Sequence, residues 1–176
     1  MREKSIKIGY DNKGVYIEIR GEGTVRQSNS LKKLLFDMID QLKTLSQVDF
    51  YMDLKDCQYI DSTFIGLFLI LDKKITETMQ KHLVILNSTG YVLDVIRQMG
   101  LENILSLENN GPSFPENMQK LEVESINKIE LAMLMYMAHS ELANLNDDNK
   151  SKFEAAIMML KKEIENEGID INNIQL

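Results

Sequence analysis

Residues 51–70 read YMDLKDCQYIDSTFIGLFLI, and the fold turns on how this stretch is divided. It opens as a strand that ends at Asp53-Leu54, passes through an acidic turn, and places Asp61-Ser62-Thr63 ahead of an apolar run. A Ser or Thr in front of such a run is a helix start signal, because its side-chain oxygen can accept from an unpaired backbone N–H. The helix is expected to run from Ser62 to about Met79, with Phe64, Leu67, Phe68 and Leu71 turned onto a sheet.

Upstream, Ile6, Ile8 and Tyr10 alternate with polar residues, and so do Val15, Ile17 and Ile19. The turn composition Asp11-Asn12-Lys13-Gly14 between them predicts a β-hairpin with one buried face. Gly21 to Thr24 reads as a loop. Leu31, Leu34, Leu35, Met38, Leu42 and Leu45 form one helical stripe, with Ser28, Asn29 or Ser30 as its cap. Val48–Leu54 is a central strand, and Leu83–Leu86 is a short apolar one. Val92, Val95, Ile96 and Met99 mark a third helix that Gly100 would close, before a last strand over Ile104–Leu107. The order is β-β-α-β-α-β-α-β, which implies a parallel or mixed sheet with crossover helices.

The block from Asp53-Leu54 to Asp61-Ser62-Thr63 resembles the central motif of the STAS domain, the fold of bacterial anti-sigma factor antagonists. In that family an apolar-Asp-Leu strand end is followed by Asp-Ser-Ser-Gly at a helix start. Phe64 stands where the family often has glycine, and Gly66 supplies one two positions on. Gly21-Glu22 matches the start of a Gly-Glu-Leu-Asp loop, whereas Thr24 replaces its acid. Gly100-Leu101 matches a Gly-Leu after the third helix. The resemblance covers roughly residues 4–110 and implies a mixed sheet with helices mainly on one side. It implies that Ser62 is a phosphorylated switch, with Thr63 as the second candidate acceptor. Asp61, Ser62, Thr63, Gly21 and Glu22 would then line the surface that binds an anti-sigma factor acting as a serine kinase. A phosphatase would reset the switch. The alternative that the resemblance allows is a non-switching STAS scaffold, or a subunit of a larger sensory or transport assembly, in which Ser62 only caps its helix.

After Asn109-Asn110-Gly111-Pro112 the composition changes, which divides the chain into a STAS-like domain, 1–112, and a C-terminal extension, 113–176. Two helical patterns, about Glu122–Ala143 and Asp147–Asn166, join through a short polar link and so form an antiparallel hairpin. The second has one stripe, Phe153, Ile157, Leu160 and Ile164. The first has two: Ile126, Ile129, Met133 and Tyr136 or Met137, then Leu131, Leu134, Ala138, Leu142 and Leu145. An arc that wide needs cover beyond its hairpin partner. Self-association through these helices ranks first, ahead of docking on the STAS-like domain and of a foreign partner. Six of the chain's 11 methionines lie in the extension and read as core filler between the helices.

The net charge of −7 is unevenly placed: residues 1–112 hold 14 basic and 15 acidic residues, and the extension holds 6 and 12. No excess of cations exists to displace counterions, so a nucleic-acid partner is not expected. The longest apolar run, Phe64 to Leu71, falls short of the ~20 residues of a membrane helix. The alternating start MREKSIKIGY shows no signal peptide, and the single Cys57 allows no internal disulfide. The expectation is a soluble cytoplasmic protein. His82 and His139 lie apart without ligand spacing, Cys57 sits among acids that disfavour its thiolate, and no phosphate-binding glycine motif occurs. No enzyme, metal or cofactor is expected.

Overall fold

A computed structural model describes residues 4–45 and 47–174. The strands are β1 (Ser5–Tyr10), β2 (Gly14–Gly23), β3 (Asp49–Asp53), β4 (Cys57–Ile60), β5 (Leu83–Leu86), β6 (Ser106–Glu108) and β7 (Gln119–Lys120). The helices are α1 (Val25–Leu42), α2 (Ser62–Met79), α3 (Gly90–Gln98), α4 (Lys128–Ala143) and α5 (Asp147–Asn166). The sheet runs β6-β5-β3-β2-β1-β7, with β4 pairing the far end of β2. It is mixed, as expected. β1 pairs antiparallel with β2 and β7, while β2–β3, β2–β4, β3–β5 and β5–β6 are parallel.

The core lies between the sheet and its helices. Val15, Ile17, Ile19, Phe50, Met52, Leu83 and Ile85 alternate along their strands and are fully buried with Leu31, Leu35 and Ile39 of α1. The opposite face of the sheet carries Tyr16 stacked on Tyr51, and Phe114 of the segment after β6 leans on Tyr16. α2 is the buried centre: Phe64, Ile65, Leu67, Phe68, Ile70 and Leu71 are all inaccessible. The four residues expected to face the sheet are thus buried.

Several boundaries differ from the expectation, each for a local reason. β2 runs on to Gly23, because its end pairs with β4 across a bulge at Gly21/Glu22, where Gly21 takes a left-handed φ of 77°. α1 therefore starts at Val25 with Thr24 as its cap, and the Gln27 side chain accepts from the Thr24 N–H. The cap is not Ser28, Asn29 or Ser30. The cap of α2 is Asp61, so Ser62 is the first helical residue rather than the cap. The last core strand is Ser106–Glu108, starting two residues after Ile104, because a single 3-10 turn over Leu101–Asn103 precedes it. Gly100, with φ of 78°, follows α3 as expected.

α4 begins at Lys128, later than expected, because the chain before it is held extended on the domain. Leu121 donates to the Ile6 carbonyl and Glu124 to the Ser30 hydroxyl. Both stripes of α4 find cover within the chain. Ala132, with Ile129 and Met133 beside it, packs on Leu160 and Ile164 of α5. Ala138 and Leu142 join the main core with Phe153. Packing on α5 and on the main core thus covers the wide apolar arc of α4 within the chain. The methionines divide: Met133, Met135 and Met137 pack inward, whereas Met158 and Met159 are exposed on α5, against the reading of all six as filler.

Candidate switch site at the head of helix α2

Two helices begin at one carboxylate. Asp61 Oδ1 accepts from the Phe64 N–H at 2.8 Å, and Oδ2 accepts from the Val25 N–H at 2.7 Å. The positive ends of α1 and α2 thus converge on a single negative charge. The Asp61 N–H donates to the Gly23 carbonyl at 3.1 Å, which fixes the helix start to the end of β2. A Cβ on Gly23 would stand 2.7 Å from the Phe64 ring. The missing side chain at 23 makes room for the Phe64 that stands in place of the motif's glycine, and Phe64 points inward.

Ser62 occupies the first turn of α2 and is partly buried. Its Oγ lies 3.1 Å from His139 Nε2 on α4. Thr63, the second candidate acceptor, is only 3% exposed and faces the interior. Gly21 is buried at the bulge, and the partly exposed Glu22 pairs with Lys4. Asp53 turns away from Ser62: its carboxylate accepts from Asn87 and from the Lys55 N–H. The structure thus joins Asp61, Ser62 and Thr63 at one helix start and holds Glu22 on the adjoining strand end.

The sequence did not single out His139 as part of this site. It is buried, stacked on Phe153 with ring centroids 4.9 Å apart, and its Nδ1 has no hydrogen-bond partner among the described residues. His139 is the sole imidazole in the apolar stretch 131–140, which marks it as unusual without naming its partner. Burial pushes its pKa below the ordinary value, and the Asp61 charge opposes that shift. The docked chain therefore holds the imidazole neutral. As pH falls below the usual histidine value of about 6.5, the undocked or unfolded chain takes a proton that the docked chain resists. Stability from this group is present above that pH and is lost on acidification. The expected result is that the wild type loses more of its urea midpoint between pH 7.5 and 5.5 than His139→Gln does. Equal losses would show that the imidazole titrates alike in both states.

Cys57 and His82 stand outside this chemistry. Burial pushes the Cys57 thiol up to about 11, and the charge of Glu22 adds to it. His82 Nδ1 lies 3.2 Å from the Asp72 carboxylate, which also accepts from the Leu83 N–H. Among the described residues no helix is long and apolar enough to cross a membrane.

Known structures share this fold. A candidate anti-sigma factor antagonist from Thermotoga maritima superposes with a TM-score of 0.52 at 17% identity, over 60% of this chain and 86% of its own. The chain carries the STAS fold. The Bacillus cell fate determinant SpoIIAA in its phosphorylated form aligns at 15% identity over 58% of this chain and 90% of its own, with a TM-score of 0.42. A STAS domain protein from Planctomyces limnophilus aligns at 14% identity over 60% and 91%, also with a TM-score of 0.42. No family model matches, and no curated protein is significantly similar in sequence.

Proposed function

We propose that this STAS-fold chain is an anti-sigma factor antagonist of a bacterial partner-switching pathway, acting in the cytoplasm. Unphosphorylated, it would bind an anti-sigma factor that is also a serine kinase through the lip at Asp61, Ser62 and Glu22, with the buried Thr63 and Gly21 shaping that lip from behind. Phosphorylation of Ser62 would release it, and a phosphatase would reset it. The chain itself performs no reaction. Residues 1–112 would be the switching domain and residues 113–176 an appended hairpin.

The observation that supports this reading is the place of Ser62: the first turn of α2, next to the Asp61 cap, within a STAS fold. A phosphate there meets backbone N–H groups and the positive end of the helix dipole, so the fold tolerates it. It also adds about 1.5–2 negative charges beside Asp61. A partner packed on that lip meets like-charge repulsion and desolvation of about 2–4 kcal/mol, a loss of roughly 30- to 1000-fold in affinity.

The Ser62–His139 contact favours a second reading, a non-switching scaffold in which Ser62 only holds the hairpin. Two measurements separate the readings. Intact mass after incubation with the cognate kinase should show one added phosphate, absent from Ser62→Ala. Ser62→Asp should weaken partner binding at least about 30-fold, the lower bound of that penalty. An unmodified wild type, beside a control substrate that the kinase does modify, would remove the switching reading.

A further inference from the structure

The outer face of α2 is occupied. Ser62, Gly66, Leu69 and Lys73 follow one another at helical spacing on a single face. His139 meets Ser62, and Lys73 reaches Glu141 at 3.4 Å. Between them a Cβ on Gly66 would stand 2.5 Å from the Ala138 carbonyl oxygen. At that point the backbone of α4 rests directly on α2. The hairpin is tied down again at its turn, where the buried Asn149 side chain donates to the carbonyls of Met99, at 2.9 Å, and Leu142, at 3.0 Å.

We propose that docking of the α4–α5 hairpin and phosphorylation of Ser62 exclude each other, so that the hairpin is a lid over the switch residue. This rests on the reading of Ser62 as the modified residue. Three features carry it. The Ser62 hydroxyl already touches a buried side chain, so the three oxygens that a phosphoryl group adds would crowd His139 in its seat. The contact at Gly66 is backbone on helix, so α4 cannot make that room while keeping its seat. The new charge would lie against the Asp61 carboxylate and under the stacked, buried rings of His139 and Phe153, which is repulsive and poorly solvated. Conversely, a kinase that must seat Ser62 in its own cleft cannot reach it under α4. Closed chain and modified chain are thus separate states, as packed interfaces are two-valued rather than continuously deformable.

The test uses the full chain with phosphoserine placed at position 62 by genetic code expansion, so no kinase is involved. Hydrogen exchange is followed by mass spectrometry against the unmodified chain. Peptides from 128–166 should exchange at least about tenfold faster in the modified chain, with those from β2, β3 and β5 unchanged. Unchanged hairpin exchange overturns the proposal. Slower exchange does so too, since it would mean that His139 takes the phosphate and locks the lid. Loss of protection in the sheet as well would show unfolding rather than opening, and would equally overturn it. Gly66→Leu, with no phosphate, should release the same hairpin peptides and spare the sheet, and retained hairpin protection in that variant would refute the seating. Because phosphoserine is installed directly, an opened lid in a chain that no kinase modifies would sink the switching function and leave the exclusion standing.

Discussion

Phe68→Ala is expected to lower the unfolding free energy by about 3–5 kcal/mol, against a total that is only about 5–15 kcal/mol for a typical domain. The size follows from the position of α2. Phe68 is fully buried, meets Phe64 edge to face at 5.8 Å, and sits on a helix covered by the sheet and α1 on one side and α4 on the other. A cavity left there has no mobile surface to collapse it, so the loss falls at the high end for such truncations. Urea denaturation followed by circular dichroism reads it directly. A midpoint within error of the wild type would mean that the helix presents another face to the core.

Asp61→Ala ranks next, at about 2–4 kcal/mol, because one carboxylate satisfies two helix starts and hydrogen bonds to a charged group are worth roughly 1.5–3 kcal/mol each. Asp61→Asn keeps one good acceptor and should recover about half of that loss. If alanine and asparagine were equally harmless, the two N–H groups would have other partners and the convergence of α1 and α2 would not depend on this residue. The same geometry bears on binding experiments. A variant at Asp61 changes the seating of both helices, so a fall in partner affinity counts as recognition only if Ser62→Asp gives a comparable fall with the fold intact.

The periodic elements were readable from the sequence because their patterns are long and one-sided. β2, α3, β5 and the hairpin each repeat a burial pattern that the structure reproduces, and in β1 Ile6 and Ile8 are buried while Tyr10, at the strand end, is exposed. β4 escaped because it has only four residues, and two of them, Gln58 and Tyr59, face solvent between flanking acids. β7 escaped because two exposed residues carry no periodicity at all. The start of α1 was misplaced because its cap depends on where β2 ends, and that depends on a bulge paired with β4. The unbroken apolar run from Phe64 to Leu71 held more than was taken from it. A helix apolar on every side must be covered on every side, which already pointed to an element over the outer face of α2. The wide apolar arc of α4 is its counterpart, and α4 packs against α2. Of the site, Asp61 and Ser62 were legible as a motif. His139 was not, because its contact spans 77 residues and no local signal names the partner of a buried polar group.

The hydrogen bond from Leu121 to Ile6 has a consequence for thresholds. It anchors the chain on the sheet edge only six residues before α4 starts, with Glu124 pinned again on the way. Those six residues span at most about 20 Å, so a lifted hairpin stays within reach of its seat. A ligand on so short a tether acts at an effective concentration of the order of millimolar. Any protein that needs the outer face of α2 competes with that internal ligand, and its apparent affinity is scaled down by the fraction of chains that are open. Response to the free partner would then begin only above a concentration set by the hairpin's own closing constant. Shortening or lengthening residues 122–127 would move that set point without touching a single contact at the switch.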